Sequence, residues 1–310
     1  MNTSGASATN RISAARKSGA RAAGAERKFV SPFYATLIFS LFLPGVMLAG
    51  KVAGLHHIFA PAVSATTHVP SVNLWAWERD EDLSFIDPSK VGVSYFAGMI
   101  YVRGASTEFR PRTQKLKLPA GVHSVPVFRI ETLRGEGLPG SVSTSDARPP
   151  EFAAADYIAK SIVKAIKSLP SSDTVQIDFD ALADERPFYR TILKKLRQEL
   201  PPERRISITA LGSWLLSDKW LQDGDADEVI AMMFSIGADR KNILQRVQSQ
   251  RLDSGTNAQV SLGISANESL TNKALFAAHL QNQFDKVYIF NSRPWNRDRF
   301  DAIAKEAFQK

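Results

Sequence analysis

The sequence predicts an α/β fold, a (β/α)8 TIM-type barrel, and three observations lead to it. Eight strand-like runs recur between residue 73 and the C-terminus. Amphipathic helices lie between most of them, a pattern typical of a parallel sheet, and eight such strands can close on themselves. Acidic residues follow several strands at their carboxyl ends, where barrels of this kind bind ligands. A doubly wound open sheet is the structural alternative.

The strands are predicted from apolar runs of the right length. In the fourth, Gln176, Asp178 and Asp180 alternate with apolar residues, so the three polar side chains share one face. The eight predicted strands are Asn73–Trp77, Val91–Val102, Val122–Ile130, Thr174–Asp180, Ile206–Leu211, Glu228–Phe234, Gln259–Ser265 and Lys286–Asn291.

The predicted helices each carry one apolar stripe, as helices packed on a sheet do. In the first, Ile158, Ile162 and Ile166 recur at helical spacing, and the second is stopped by Pro201 and Pro202. The five predicted helices are Ala153–Leu169, Arg186–Leu200, Lys241–Arg251, Ser269–Phe284 and Arg297–Phe308.

The predicted barrel is irregular between its second and third strands. The segment Glu108–Gly121 is short, basic and extended, so we expect a hairpin there in place of a helix. The segment Thr132–Pro150, directly after the third strand, is rich in Gly, Pro and Ser. Loops of this length are often functional, and this one would lie at the mouth of the barrel.

The N-terminal part of the chain predicts a membrane anchor. Residues 1–28 form a basic tail with a net charge of +5, and residues 29–51 contain an apolar run long enough for one membrane-spanning helix. The charge lies before this run, which predicts a cytoplasmic N-terminus and an exported C-terminal domain at the bacterial inner membrane. A cleaved signal peptide, with a small-residue site at Val63-Ser64-Ala65, is the alternative.

Residues 52–72 are predicted to link this anchor to the barrel domain of residues 73–310. The +5 of the tail is most of the chain's +8, so the folded part lacks the basic excess of a nucleic-acid-binding protein. His56 and His57 have no further ligands at metal-binding spacing, and there is no Cys. We therefore expect no metal, no cofactor and no nucleic-acid partner.

The candidate catalytic residues are carboxylates at or just after strand ends: Asp178, Asp180, Glu78 and Glu131, with Glu185 in the loop after the fourth strand. Carboxylates that converge on one end of a barrel suit glycoside hydrolysis, in which one protonates the leaving oxygen and another acts as nucleophile or base. The alternative is an internal ion-pair network in which Arg129 neutralises Asp178.

Aromatic residues at the same end of the barrel would suit a sugar-binding platform. Trp75 and Trp77 lie on the first strand, and Trp214 and Trp295 follow the fifth and eighth strands in predicted loops. The alternative is that these side chains only fill the protein core. The predicted substrate-binding residues are Trp77, Arg129, Trp214, Trp295 and Asn291.

Several separate blocks of sequence between Asn73 and the C-terminus resemble the bacterial domain-of-unknown-function family number 3142. That family has no established activity, so the resemblance implies none. The blocks are Leu74–Arg79, Pro126–Glu131, Val175–Ala181 with Glu185-Arg186 and Phe188-Tyr189, Ser207–Leu211 through Ser213-Trp214, and Asp227–Phe234.

The fourth strand is also similar to that of the family 18 glycoside hydrolases, chitinase-like barrels with the motif Asp-x-x-Asp-x-Asp-x-Glu. Asp178 and Asp180 match the second and third acids of this motif. Val175 replaces the first Asp, and Leu182 occupies the position of the catalytic Glu. The resemblance therefore implies chitinase-like hydrolysis only if Glu185 reaches back into the site.

Together these features predict an exported, membrane-anchored barrel that binds or hydrolyses an envelope or extracellular polysaccharide. The alternative is a catalytically inactive barrel that serves as a binding or assembly module, which Leu182 favours.

Overall fold

A computed structural model describes the barrel domain. Its described residues are 69–103, 106–132, 150–217, 220–235, 240–249, 252–268, 273, 284 and 286–308. The predicted tail, the predicted anchor, most of the predicted linker, the loop 133–149 and nearly all of the predicted helix Ser269–Phe284 lie outside the described residues.

Eight parallel strands form a closed barrel, as predicted. The strands in chain order are β1 Val72–Ala76, β2 Glu81–Asp82, β3 Val91–Arg103, β4 Ser106–Pro111, β5 Leu116–Lys117, β6 Ser124–Thr132, β7 Thr174–Asp178, β8 Arg205–Leu211, β9 Glu228–Met232, β10 Gln259–Ser265 and β11 Val287–Phe290. In spatial order β1, β11, β10, β9, β8, β7, β6 and β3 pair with their neighbours, and β3 pairs back to β1. All eight predicted barrel strands are present, and their ends differ from the prediction by at most two residues.

Helices pack on the outside of the barrel because each buries the apolar stripe seen in its sequence. The described helices are α1 Pro150–Ile166, α2 Arg186–Glu199, α3 Gly212–Ser217, α4 Arg240–Ser249 and α5 Arg297–Phe308. Ile192 of α2 and Ile158 of α1 are fully buried in one cluster with Ile177 of β7. The sequence did not predict α3, and it placed the ends of α1 three residues too late.

A β-hairpin replaces the helix that would join the second and third barrel strands, as predicted. Strand β4 runs antiparallel to β3. The same edge of β3 is used twice, since residues 91–95 pair with β1 and residues 98–103 pair with β4. The hairpin therefore extends the barrel wall beyond the end of β1, and a two-residue pairing of β2 with β5 packs beside it.

The inside of the barrel contains both buried polar and aromatic side chains. Ser94, Gln176, Ser207 and Ser261 are buried polar residues on the strands. Trp75 and Tyr288 belong to a small cluster that is separate from the main core, and Trp75 lies in register with Ser94. Side chains at every second strand position face inward, so the sequence alternation in β7 carries its carboxylates into the barrel.

No helix in the described ranges is long and apolar enough to cross a membrane.

The hairpin gives the first prediction. A Cβ atom at Gly98 would lie 2.9 Å from the backbone oxygen of Arg110 on β4 and would also clash with the Phe109 ring. Gly98→Ala should therefore lower the free energy of unfolding by about 1–3 kcal/mol through overpacking. Urea denaturation measures this, with Ser106→Ala, an exposed change on the same hairpin, as the control. Equal stability of both variants would contradict the close approach of β3 and β4.

Candidate functional site

A cavity of about 330 Å³ opens at the carboxyl ends of the barrel strands. This is the end where barrels of this class bind ligands, and the volume is at the small end of the range for ligand pockets. The cavity therefore has room for about one sugar ring or a ligand of similar size. Its lining residues are Trp75, Trp77, Met99, Arg129, Gln176, Asp178, Asp180, Thr209, Met232, Phe234 and Phe290.

Strand periodicity explains most of this lining. Gln176, Asp178 and Asp180 are spaced two residues apart, so they lie above one another on one face from the floor of the cavity to its rim. Trp75 and Trp77 do the same on the opposite wall. A β-bulge between Phe96 and Gly98 shifts the register of β3, and such a shift changes the face on which the following side chains lie. Met99 reaches the cavity after this shift.

The guanidinium of Arg129 joins the two aspartates. Its Nη1 donates to Asp178 Oδ2 at 2.8 Å, and its Nη2 donates to Asp180 Oδ2 at 3.2 Å. Thr209 Oγ1 donates to the other oxygen of Asp178 at 2.7 Å. The pairing of Arg129 with Asp178 that the sequence suggested is confirmed, and Asp178 has a partner at each oxygen.

The two aspartates differ in exposure. The Asp178 side chain is 6% exposed, whereas that of Asp180 is 50% exposed at the rim. Partial burial, and then the nearby Asp178 carboxylate, raise the pKa of Asp180, and Arg129 opposes this shift. Asp180 is thus the carboxyl group at the cavity that is available to a ligand and can hold a proton more readily than an ordinary aspartate.

Aromatic rings form the opposite side of the cavity. Phe234 and Phe290 stack with centroids 5.6 Å apart, and Trp77 meets Phe290 edge to face at 6.1 Å. Arg129 lies 5.9 Å from the centroid of the Trp77 ring, so this tryptophan connects the aromatic wall to the ionic cluster. The cavity combines an apolar, flat-sided wall with one exposed carboxyl group.

The other predicted carboxylates do not line this cavity. Glu78 forms an ion pair with Arg110 of the β3–β4 hairpin. Glu131 lies on β6 in register with Tyr101 of β3. Glu185 is buried and closes the turn after β7, where its carboxylate accepts hydrogen bonds from the backbone N–H of Leu182 and from Thr132 Oγ1.

Two of the predicted sugar-binding tryptophans also lie elsewhere. Trp214 is in helix α3, not in the expected loop, and packs edge to face on Trp220 at 5.1 Å. Trp295 is buried, and its Nε1 donates to the backbone oxygen of Trp75. Asn291 is buried and borders a second, smaller cavity.

Some lining residues were not among the predicted site residues. Thr209 and Gln176 are inward positions on β8 and β7, and the alternation that identified Asp178 applies to both. Phe290 ends β11, and Phe234 lies two residues past the end of β9. The residues just before each of them are apolar on both faces, so periodicity alone could not assign the direction of either side chain. Among the described residues, no group of three His, Cys, Asp or Glu side chains could hold a metal ion.

The position of the catalytic Glu in the chitinase-like motif is occupied by an exposed residue. Leu182 is 43% exposed and precedes the short 3-10 helix Ala183–Glu185. Glu185 does not substitute for that acid, since both of its oxygens accept the hydrogen bonds that hold this turn.

Comparison with known proteins shows a shared fold. No family model matches the chain, and a search of curated proteins finds no match, so the resemblance to family number 3142 stays a prediction. The crystal structure of a chitinase A candidate from Streptomyces coelicolor superposes with a TM-score of 0.50 at 12% identity, over 77% of this chain and 95% of that chain. The Bacillus cereus spore cortex-lytic enzyme SleL gives a TM-score of 0.45 at 12% identity, over 77% of this chain and 75% of that chain. The chitinase A structure thus shares the (β/α)8 architecture of this chain.

The unequal exposure of the two aspartates predicts unequal costs of substitution. Asp178→Asn should lower the free energy of unfolding by at least about 2 kcal/mol, because it breaks a buried charge-assisted pair. Asp180→Asn should change stability at neutral pH by no more than about 1 kcal/mol, since this carboxylate is half exposed. Urea denaturation of both variants, with circular dichroism, provides the comparison.

The sign of the Asp180 effect follows from its raised pKa. A carboxyl whose pKa is higher in the folded state opposes folding once it ionises, so its cost appears as pH rises through the folded pKa. Asp180→Asn should therefore be slightly more stable than the wild type at neutral pH, and the gap should close below about pH 4. If Asp180→Asn loses more stability at neutral pH than Asp178→Asn does, the rim position of Asp180 is contradicted.

Proposed function

We propose that this barrel binds carbohydrate, with one sugar ring in the cavity at the carboxyl ends of the strands. The observation that carries the proposal is the aromatic wall of Trp77 and Phe290 beside the half-exposed carboxyl group of Asp180. A sugar ring presents an apolar C–H face and a rim of hydroxyl groups. The aromatic wall can stack on the C–H face, and the Asp180 carboxyl group can accept a hydrogen bond from a hydroxyl group.

The size and depth of the cavity suit a ring that enters from the end of a chain or from a branch. A volume of about 330 Å³ does not hold several sugar units. The ring would stack against the indole of Trp77, and its hydroxyl groups would donate to Asp180. Each oxygen of Asp178 already accepts a hydrogen bond, one from Arg129 and one from Thr209. The proposed role of Asp178 is therefore to hold Arg129 in place.

Binding is favoured over hydrolysis by the contacts of the carboxylates. Hydrolysis requires a proton donor and a second carboxyl group on opposite sides of the scissile bond. Asp178 and Asp180 lie on the same strand and share one guanidinium, so they approach a ligand from the same side. Leu182 stands at the position of the chitinase acid, and Glu185 is committed to the loop. We therefore propose a glycoside-hydrolase-like barrel that acts as a carbohydrate-binding module.

The location of this activity is a separate proposal. The basic tail of residues 1–28 and the apolar run of residues 29–51 support a single-pass anchor at the bacterial inner membrane with the barrel on the outer side. The ligand would then be an envelope or extracellular polysaccharide.

The carbohydrate proposal predicts a loss of affinity in Trp77→Ala. Titration of residues 66–310 with cello-, chito- and manno-oligosaccharides, followed by isothermal titration calorimetry, should identify at least one ligand. Trp77→Ala should bind it at least roughly tenfold more weakly, because an aromatic stacking contact is worth about 1 kcal/mol beyond the apolar area that it buries. Trp214→Phe changes a tryptophan that does not line the cavity and is the matched control. Equal affinity of Trp77→Ala and the wild type for the oligosaccharide would rule out the proposed site.

The same preparations test for hydrolysis. Analysis of the products after prolonged incubation should show intact oligosaccharides. Cleavage by the wild type that Asp180→Asn reduces by roughly a hundredfold or more would show that the barrel is an enzyme and that Asp180 is catalytic.

The proposed topology predicts the behaviour of a reporter. Alkaline phosphatase fused after Lys310 should be active, because the positive charge before the apolar run keeps the N-terminus in the cytoplasm. A green fluorescent protein fusion at the same point is the complementary control and should be dark when exported through the general secretory route in an unfolded state. Strong fluorescence with no phosphatase activity would overturn the proposed location.

A further inference from the structure

A second cavity of about 290 Å³ lies at the end of β11, beside helix α5. It is separate from the cavity described above, but the two are bordered by consecutive residues. Phe290 lines the first cavity, and Asn291 lines the second. Its lining residues are Ala266, Asn267, Asn291, Arg293, Arg299, Ala302 and Ile303. They come from the segments that follow the last two barrel strands and from α5.

Asn291 supplies the most specific observation. Its side chain is buried, with 1% of the residue exposed. The orientation of the amide is set by the backbone N–H of Arg293, which donates to Oδ1 at 3.2 Å. The Nδ2 group is therefore a donor, and it has no acceptor within the described part of the chain. A buried donor without an acceptor is costly, and a group that accepts its hydrogen bond would remove the cost.

The charged groups at this cavity are arginines. Arg293 is exposed, and Arg299 is partly buried with its Nη1 bound to the backbone oxygen of Pro294. Arg79 is already committed, since it donates to the backbone oxygens of Asn291 and Ser292 and to Glu81. It holds the loop after β11 against the loop after β1, and so it leaves Arg293 and Arg299 as the cations that a ligand can reach.

We propose that this second cavity binds an anionic substituent, a carboxylate or sulfate group, of the same polysaccharide whose sugar ring occupies the first cavity. Two guanidinium groups and an amide N–H form a donor set that matches an oxyanion, and arginine pairs with such groups in a bidentate manner. The volume is small for an oligosaccharide but sufficient for a substituent and part of the ring that carries it. This inference rests on the proposed carbohydrate function and narrows its ligand to acidic polysaccharides.

The first test compares two ligands with the same sugar chain, one with charged carboxylates and one with neutral methyl esters. The wild-type barrel should bind tetragalacturonate at least roughly tenfold more tightly than its methyl-esterified form. This is the difference expected for one or two charge-assisted hydrogen bonds. Arg293→Gln and Arg299→Gln should each reduce this preference. Arg297→Gln is the matched control, because its guanidinium donates to Phe85 outside the cavity; it should keep the preference.

The second test isolates the anion. Isothermal titration with sodium sulfate at low ionic strength should detect binding that Asn291→Asp abolishes, since the change retains the acceptor for Arg293 N–H and replaces the donor by a negative charge. Circular dichroism checks that Asn291→Asp folds. If it does not fold, the sulfate titration is repeated with Arg293→Gln, which changes an exposed residue.

The possible outcomes separate the proposals. An equal affinity for the charged and esterified tetramers, or a preference that survives both Arg293→Gln and Arg299→Gln, would overturn the inference. Sulfate binding without any preference for the charged tetramer would assign the site to a free ion and would also overturn it. If no oligosaccharide binds at all, the proposed function fails, while the sulfate titration still reports on the donor set.

Discussion

The candidate site depends on a single guanidinium enclosed by a closed barrel. Arg129 must balance two carboxylates that extend into the barrel from one strand, and it does so by giving one nitrogen to each. A buried aspartate without this partner would be costly. Once the pair is formed, Asp178 is neutralised, Asp180 is held at the rim, and the same guanidinium lies near Trp77. The geometry of the carboxylates and of the aromatic wall is thus coupled through one side chain.

In this barrel one of the usual connecting helices is replaced. A hairpin stands where a helix would join β3 to β6, and it extends the wall above β1. The bulge in β3 changes which side chains face inward along this strand and brings Met99 to the cavity. The ion pair between Glu78 and Arg110 then ties the end of β1 to the hairpin. The departure from the regular barrel therefore shapes the mouth on the side where Trp77 lies.

Much of the fold follows from the sequence, because period-two and helical patterns are local properties. The eight barrel strands, the hairpin and the inward direction of Asp178 and Asp180 were predicted in this way. The alternation that places Asp178 inside also places Arg129 inside from β6, which is why their pairing could be suggested. Leu182 likewise marked a departure from the chitinase motif before its exposure was known.

The parts of the site that escaped prediction depend on long-range packing. A strand such as β11 is apolar on both faces, so its sequence does not show that Phe290 faces the cavity. Trp295 looks like a loop tryptophan at the mouth, but its indole N–H finds an acceptor at Trp75 and the ring is buried. Glu185 is close to the site in sequence, but its carboxylate accepts hydrogen bonds from Leu182 N–H and from Thr132 at the end of β6. These bonds hold it in the turn and away from the cavity. Such contacts exist only once the barrel closes.

We propose that the cavity between Asp180 and Trp77 receives a sugar ring. A crystal structure of the barrel domain grown with a bound oligosaccharide would test this proposal most directly. We expect a terminal or branch ring stacked on Trp77, with a ring hydroxyl within hydrogen-bonding distance of Asp180 and with Arg129 still bound to both aspartates. A sugar bound elsewhere, with the cavity occupied only by water, would contradict it.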